Sequence, residues 1–392
     1  MRVAINGIGV AGPTLAYWLR AYGHEPVLFE RAPAFRTGGY LIDFWGLGYD
    51  VAERMGVLAN IREHGYQIER MRFIGEDGRE TASLDLRPMR ETLDGRFTSL
   101  ARSDLSAALL GACDGIPVHY GVSVSAIEDA GGAAVATLTD GRTERFDLVV
   151  GCDGLHSHVR ASVFGPQERF ESFLECYVAA FRVAGYPRRD ESTYVMHTVP
   201  KRQVARVSLR DDDTLILLVC RSECVDGDPS PGEERDALRR AFGGMGWEVP
   251  EILDRMDDAG EVYFDRVSQI HLPHWSSGRV ALVGDAAACP SLLAGEGSGL
   301  AMTEAYVLAG ELHRADGDHA RAFAAYEARL QSFVTAKQKA ALGYRGFFAP
   351  ESEFSLKIRN AAVHVLALPY LTKVLAARSF RDDLKLPHYL AA

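Results

Sequence analysis

Two glycine-rich segments, each with an acidic residue nearby, are the parts of this sequence best suited to chemistry. Near the amino terminus, a short apolar stretch leads into Gly7-Ile8-Gly9-Val10-Ala11-Gly12. Far along the chain, another apolar stretch stops at Gly284-Asp285 and is followed by Gly295-Glu296-Gly297-Ser298-Gly299. A glycine-rich turn between a strand and a helix brings backbone N–H groups and the positive end of the helix dipole close to phosphate. The two segments together predict a long cofactor that is held at both ends.

The elements that must position the first segment form a β-α-β pattern. Residues 2–6 predict a buried strand, residues 14–22 a helix, and residues 26–30 a second strand. Glu30 ends that second strand, where a carboxylate can accept hydrogen bonds from a ribose. Glu30 and the next residue, Arg31, do not decide whether the cofactor is FAD or a nicotinamide dinucleotide.

Each glycine of the first segment has its own steric task. Gly7 allows the tight turn, Gly9 lets the pyrophosphate approach the backbone, and Gly12 lets the helix pack on the strand. The residues between them, Val10 and Ala11, are predicted to contact the cofactor through their backbone at the start of the helix.

Three further segments narrow the choice of cofactor. An apolar strand ends in a turn that contains Asp153-Gly154, followed by Ser157 and Arg160. The second is a glycine-containing loop, Gly38-Gly39-Tyr40-Leu41-Ile42-Asp43. The third is a helix start, Arg102-Ser103-Asp104-Leu105. With these segments the sequence resembles the FAD-dependent aromatic hydroxylases of the para-hydroxybenzoate hydroxylase type. Its pattern is most similar to that of the tetracycline-inactivating monooxygenases.

The resemblance implies a role for several side chains. Arg102 would contact the phosphate or ribityl region of FAD, and Asp285 would accept hydrogen bonds from the ribityl hydroxyls. Asp43 would lie beside the isoalloxazine ring, and Asp153 belongs to a segment associated with both FAD and NAD(P)H. Arg36 matches an arginine implicated in contact with the nicotinamide cofactor.

The start of the last long helix would point its amides at the pyrimidine edge of the flavin, where reduced flavin carries negative charge. The residues expected to do this are Gly295, Gly297 and Ser298. The sequence departs from the usual family pattern at three positions, where His, Gln and Asn are replaced by Ala288, Glu296 and Gly299. Backbone amides do not depend on these side chains, so we expect flavin binding to survive.

The predicted fold is a two-domain α/β flavoprotein. A Rossmann-like FAD-binding domain is expected in residues 1–69, 100–165 and 276–345. It is interleaved with a mostly antiparallel substrate sheet in residues 70–99 and 166–275. Residues 346–392 form a C-terminal helical extension, in which a helix from Phe354 to about Ala377 is expected to dock along the domain interface rather than on a membrane.

The sequence also predicts the bounds of single elements. Residues 45–55 predict a helix and residues 118–127 a single strand, and Asp77-Gly78 suggests a hairpin turn.

Composition limits the partners and the location. The 392 residues carry a formal net charge of −10 without a long basic block, which argues against nucleic acid and anionic membranes. The six cysteines have no metal-like spacing, there is no HExxH pattern, and we predict no metal site. Scattered thiols and the lack of a long apolar run predict a cytoplasmic protein without a membrane span. The oligomeric state stays open, with a monomer favoured.

The resemblance implies a monooxygenase that uses NADH or NADPH and dioxygen to hydroxylate a phenolic or polycyclic aromatic compound, such as an aromatic polyketide or a tetracycline. The reaction would pass through a flavin C(4a)-hydroperoxide. Two alternatives remain: a non-catalytic FAD-fold protein that binds a ligand, and a flavin halogenase, which the scattered tryptophans disfavour. No catalytic residue is assigned, because Tyr177, Tyr194 and His197 lie in the substrate sheet and are interpreted as structural.

Overall fold

The computed structural model describes residues 1–36, 38–367 and 382–389. Its strands form four β-sheets. Numbered in chain order, the strands are β1 Arg2–Asn6, β2 Glu25–Glu30, β3 Leu41–Trp45, β4 Arg70–Ile74, β5 Glu80–Asp85, β6 Phe97–Ala101, β7 Val118–Tyr120, β8 Val124–Asp129, β9 Ala134–Leu138, β10 Thr143–Phe146, β11 Leu148–Gly151, β12 Glu171–Ala184, β13 Thr193–Val199, β14 Arg202–Ser208, β15 Asp213–Arg221, β16 Tyr263–Ile270, β17 Ser276–Ser277 and β18 Val280–Leu282. The helices are α1 Ala11–Ala21, α2 Gly46–Arg54, α3 Leu58–His64, α4 Arg87–Thr92, α5 Arg102–Gly111, α6 His158–Val163, α7 Glu234–Phe242, α8 Val249–Arg255, α9 Asp285–Ala288, α10 Gly297–Arg314, α11 His319–Ala341, α12 Tyr344–Phe348 and α13 Glu353–Leu366.

A six-stranded sheet places the predicted cofactor segments side by side. Its order is β17-β18-β11-β1-β2-β7, and all neighbours are parallel except β17 and β18. Because parallel strands end at the same edge, the segments that follow β18, β11, β1 and β2 lie together there. The strand residues Val3, Ala4 and Ile5 are fully buried, as expected for a sheet that is covered on both faces.

The seven-stranded sheet, ordered β16-β12-β15-β14-β13-β4-β5, is mostly antiparallel as predicted. The parallel exception joins β13 to β4, which comes from the earlier part of the chain. The smaller sheets are β10-β9-β8 and β3-β6. The α/β fold class with a mostly antiparallel second sheet is therefore confirmed.

Two predicted boundaries were wrong. The single strand expected over residues 118–127 is two strands, because Gly121 has a φ of 71° and turns the chain after β7. As a result, β7 joins the parallel sheet, whereas β8 joins the three-stranded sheet. The helix expected from residue 45 begins at Gly46, and Trp45 instead ends β3.

The C-terminal helix α13 packs on the seven-stranded sheet beside β5 and β13. Its Arg359 is buried, donates to Thr198 Oγ1 at 3.1 Å and lies 4.6 Å from the centre of the Phe73 ring. The rest of the expected helix, residues 368–377, lies outside the described residues. Residues 382–389 are not helical, and Tyr389 packs against α10 with its hydroxyl donating to Glu311 at 2.7 Å. Among the described helices, none is both long and apolar enough to cross a membrane.

Candidate functional site

A cavity of about 380 Å³ opens at the carboxyl edge of the parallel sheet, and β16 of the seven-stranded sheet forms part of its wall. Except for Gly12 and Asp43, all the predicted site residues line this cavity. They are Gly7, Gly9, Val10, Ala11, Glu30, Arg31, Arg36, Arg102, Asp153, Asp285, Gly295, Gly297 and Ser298.

The first glycine turn is packed so tightly that side chains would not fit at two of its positions. Gly7 has a φ of 107°, and a Cβ there would lie 2.4 Å from the backbone oxygen of Cys152. A Cβ on Gly12 would lie 1.9 Å from the backbone oxygen of Gly7. Gly9 differs, because its added Cβ would come only within 3.4 Å of Arg102 Nη2, on the cavity side. The turn therefore presents a bare backbone to the cavity, which suits a phosphate.

Glu30 fixes the loop at the end of β2. Its carboxylate accepts a hydrogen bond from the backbone N–H of Ala32 at 2.8 Å and another from Ile8 at 3.3 Å. Each carboxylate oxygen can accept further hydrogen bonds, so the group remains available to a ribose. Arg31 and Arg36 are exposed on the rim of the cavity.

Asp153 mainly stabilises the local backbone through hydrogen bonds at the start of α6. It accepts hydrogen bonds from the backbone N–H of His158 at 2.8 Å and from Ser157 Oγ, at the start of α6. The buried amide of Asn6 also donates to it at 3.1 Å and accepts from the backbone N–H of Val124 at 2.9 Å. Asn6 was not among the predicted site residues, although a polar residue that ends an apolar strand indicates a specific buried hydrogen-bond partner.

Arg102 and Asp285 form the charged centre of the cavity. The phenol of Tyr40 and the carboxylate of Asp285 raise the pKa of Arg102, so its guanidinium stays charged. Burial raises the pKa of Asp285, and the positive charge of Arg102 acts against that shift. A cation and an acceptor carboxylate, both lining one cavity, suit a ligand that carries phosphate and hydroxyl groups.

Asp43 lies in a second, smaller cavity of about 20 Å³, which shares Gly295 with the main cavity. Its carboxylate accepts hydrogen bonds from Ser99 Oγ and, at 3.3 Å, from the hydroxyl of Tyr194. Burial raises the pKa of Asp43. Tyr194 therefore contacts a predicted site residue, although it does not line the main cavity itself.

Tyr177 and His197 lie away from both cavities among the described residues. The hydroxyl of Tyr177 donates to Asp228. His197 is buried with Nδ1 3.0 Å from the backbone oxygen of Ile74, and burial lowers its pKa.

The wall that β16 contributes lies within the expected substrate sheet, but its Tyr263 and Asp265 were not predicted as site residues. Tyr263 lies with its ring centre 5.4 Å from that of Tyr40, and its hydroxyl donates to Asp265 at 3.2 Å. Asp265 in turn faces His156 Nε2 at 3.2 Å, and this carboxylate raises the pKa of His156. β16 is an edge strand with polar and apolar residues in no regular alternation, so its sequence carries little strand signal.

Comparison with known proteins decides the family. The sequence profile described as FAD binding domain matches residues 1–337. A flavin-dependent monooxygenase from an unknown prokaryotic organism is 34% identical over 395 residues, covering 99% of both chains. Another, from Legionella longbeachae, is 32% identical and covers 99% of this chain and 98% of its own. The chain belongs to the FAD-dependent aromatic hydroxylase family. A crystal structure of the tetracycline destructase Tet(55) superposes on this flavoprotein with a TM-score of 0.84, at 30% identity, over 99% of this chain and 98% of that one.

Two of the three departures from the usual family pattern, Glu296 and Gly299, lie at contacts between helices or side chains of this flavoprotein. Glu296 forms an ion pair with Lys337 at 3.0 Å and does not line the main cavity. Gly299 lies where α10 crosses α2 closely, because a Cβ on Gly48 would come within 2.5 Å of the Gly299 Cα. Gly297 and Ser298 still line the cavity, as expected of a helix start that contacts flavin.

Replacing Arg102 with methionine keeps the length and apolar stem of the side chain but removes its charge and donors. We expect the dissociation constant for FAD to rise about tenfold or more, because a charge-assisted hydrogen bond contributes about 1.5–3 kcal/mol. Quenching of flavin fluorescence on titration into the apoprotein measures this constant. Arg102→Lys should recover part of the loss, and equal binding by all three proteins would contradict a role for Arg102 at the cofactor.

Proposed function

We propose that this flavoprotein uses NADH or NADPH and dioxygen to hydroxylate a phenolic or polycyclic aromatic compound. One observation carries the proposal: a single cavity is lined by the glycine turn, by Arg102 and Asp285, and by the aromatic side chains Tyr40 and Tyr263. The first three suit an elongated, phosphate-containing cofactor, and the last two suit a planar substrate beside it.

In this proposal the residues of the FAD site have distinct tasks. The turn at Gly7 and Gly9 binds the pyrophosphate, and Glu30 binds the ribose. Asp285 and Arg102 orient the ribityl chain, which fixes where the ring lies. When bound, FAD supplies the redox chemistry, while the protein supplies position, exclusion of water and electrostatics. We further propose that the chain divides into the two interleaved domains expected from the sequence.

The substrate class rests on the aromatic side chains of the cavity and on the relatives. Tyr40 and Tyr263 offer aromatic surface that favours an aromatic partner. A solved relative with 30% identity is described as a tetracycline destructase, which supports a polycyclic aromatic compound. Asp43, held by Ser99 and Tyr194, provides a half-buried carboxyl group that can hold a proton beside the ring site.

We also propose a cytoplasmic location. All six cysteines are free, and five of them are buried. Unpaired cysteines are typical of a reducing compartment.

The test is a panel of phenols, aromatic polyketides and tetracyclines added to the FAD-loaded protein, with NADH and NADPH in separate arms. We expect at least one compound to stimulate oxidation of the nicotinamide several-fold and to yield a product with one added oxygen. A protein that binds FAD and a ligand without stimulated oxidation would be a ligand-binding protein instead. A chlorinated or brominated product in the presence of halide would identify a halogenase.

A further inference from the structure

The turn that carries Asp285 rests on a buried acidic residue that the proposed function does not use. Glu304 lies in α10, is 1% exposed, and does not line the cavity. Its Oε2 accepts a hydrogen bond from the backbone N–H of Gly284 at 2.5 Å. Gly284 immediately precedes Asp285, so this bond fixes the backbone from which the Asp285 side chain projects.

The turn has little freedom to move once this bond is made. Gly284 has a φ of 70°, and a Cβ there would lie 3.1 Å from the Cβ of Ala301 and 3.4 Å from that of Ala11. The turn is therefore pressed between α10 and α1. Any change at Glu304 that moves the Gly284 N–H must also move Asp285 relative to these helices.

A tyrosine from α11 completes the support. The hydroxyl of Tyr326 lies 3.1 Å from the backbone oxygen of Leu282, at the end of β18, and 3.4 Å from Glu304 Oε2. Glu304 Oε1, in contrast, is buried without a hydrogen-bond partner among the described residues. A buried carboxylate with one unpartnered oxygen is costly when charged and far less so when protonated.

The groups that face Glu304 from the neighbouring elements are Asp285, Tyr326 and Cys152, and none of these is a cation. Burial raises the pKa of Glu304 to about 8, with a smaller contribution from the charge of Asp285 and an opposing one from the Gly284 N–H. Burial also keeps the pKa of Tyr326 and Cys152 well above their ordinary values. Glu304 is therefore the member of this group that titrates as the solution becomes mildly alkaline.

We propose that Glu304 is a positioning residue for the flavin site, which holds the Gly284 turn and, in its protonated form, keeps a second negative charge away from Asp285. The inference rests on the proposed contact between Asp285 and FAD. When Glu304 loses its proton, its carboxylate and that of Asp285 repel one another, and FAD binding weakens.

Two variants separate the hydrogen bond from the charge. Glu304→Gln keeps an acceptor for the Gly284 N–H but cannot ionise, whereas Glu304→Leu removes the acceptor. At about pH 6.5, we expect the dissociation constant for FAD to rise about tenfold in Glu304→Leu and to change less than about threefold in Glu304→Gln. From there to about pH 9, the constant of the unaltered protein should rise several-fold, whereas that of Glu304→Gln should rise much less.

Two controls test whether an effect is specific to Glu304 and whether each variant is folded. Glu311→Gln changes another buried carboxylate of α10, which pairs with Arg329, and should leave the pH dependence of FAD binding intact. Thermal unfolding of each apoprotein reports whether a variant is folded. If folded Glu304→Leu binds FAD normally, the positioning role is wrong; if Glu304→Gln keeps the full pH dependence, the charge role is wrong.

A double mutant distinguishes this inference from the proposed site. If Glu304 acts through Asp285, the effects of Glu304→Leu and Asp285→Ala on FAD binding will not add. Additive effects would overturn the positioning role. Normal FAD binding by Asp285→Ala alone would instead overturn the proposed contact of Asp285, on which the inference rests.

Discussion

Asp285→Ala will weaken FAD binding about 30-fold to several hundred-fold, which corresponds to about 2–3.5 kcal/mol. The carboxylate lines the cavity at the end of β18, next to the cation of Arg102. Removing it takes away acceptors for the ribityl hydroxyls and one of the groups that stabilise the positive charge of Arg102. Fluorescence titration of the apoprotein with FAD measures the loss directly.

A matched control lies on β16, which also lines the cavity. Asp265→Ala removes an aspartate from the same cavity, but from β16 rather than from the cofactor edge. We expect this variant to bind FAD within about threefold of the unaltered protein, because β16 is assigned to the substrate. Equal weakening by the two variants would mean that the cavity is not divided between cofactor and substrate in this way.

Replacing Arg160 with methionine will destabilise the fold by about 2–4 kcal/mol. The Arg160 side chain is fully buried and donates to the backbone oxygen of Ala286 at 3.1 Å and to that of Leu155. It thus ties the segment after β11 to α9, the helix that Asp285 begins. Its loss removes the donor of the buried Ala286 oxygen and of the half-buried Leu155 oxygen, which costs more than the removal of an exposed arginine.

Chemical denaturation of the apoprotein checks this value without involving the cofactor. Arg169→Met is the control, because Arg169 is exposed on the neighbouring short helical turn, and we expect a change below about 0.5 kcal/mol. Arg160→Met should also bind FAD less tightly, since the two segments that it joins both line the cavity. An unfolding free energy equal to that of the control would show that Arg160 does not tie these segments together.

The residues at the carboxyl edge of the parallel sheet could be predicted from the sequence, because neighbouring parallel strands end at the same edge. Gly7, Asp153 and Asp285 each follow an apolar strand, and β1, β11 and β18 are neighbours in one sheet. The order of the strands alone then brings these residues together, independently of the conformation of the loops. The identities of the glycines follow from the close backbone approaches that this packing demands.

What the sequence could not predict depends on contacts between distant segments. Tyr263 was not predicted as a site residue, although β16 lies within the expected substrate sheet, because no regular alternation of polar and apolar residues marks which side chains of this strand face the cavity. The support of Asp285 by Glu304 was missed because a glutamate within a helix usually faces solvent. Only the packing of α10 over the end of β18 shows that this carboxyl group is buried.

The central claim is that the cavity at the sheet edge holds FAD and transfers oxygen to an aromatic compound. The most direct test is turnover of a stimulating aromatic compound by the FAD-loaded protein under oxygen-18 gas, with NADPH or NADH present. We predict a product that carries one oxygen-18 atom and that disappears when Asp285→Ala is assayed without added FAD. A product without label, or oxidation of the nicotinamide that yields only hydrogen peroxide with every compound tested, would contradict the claim.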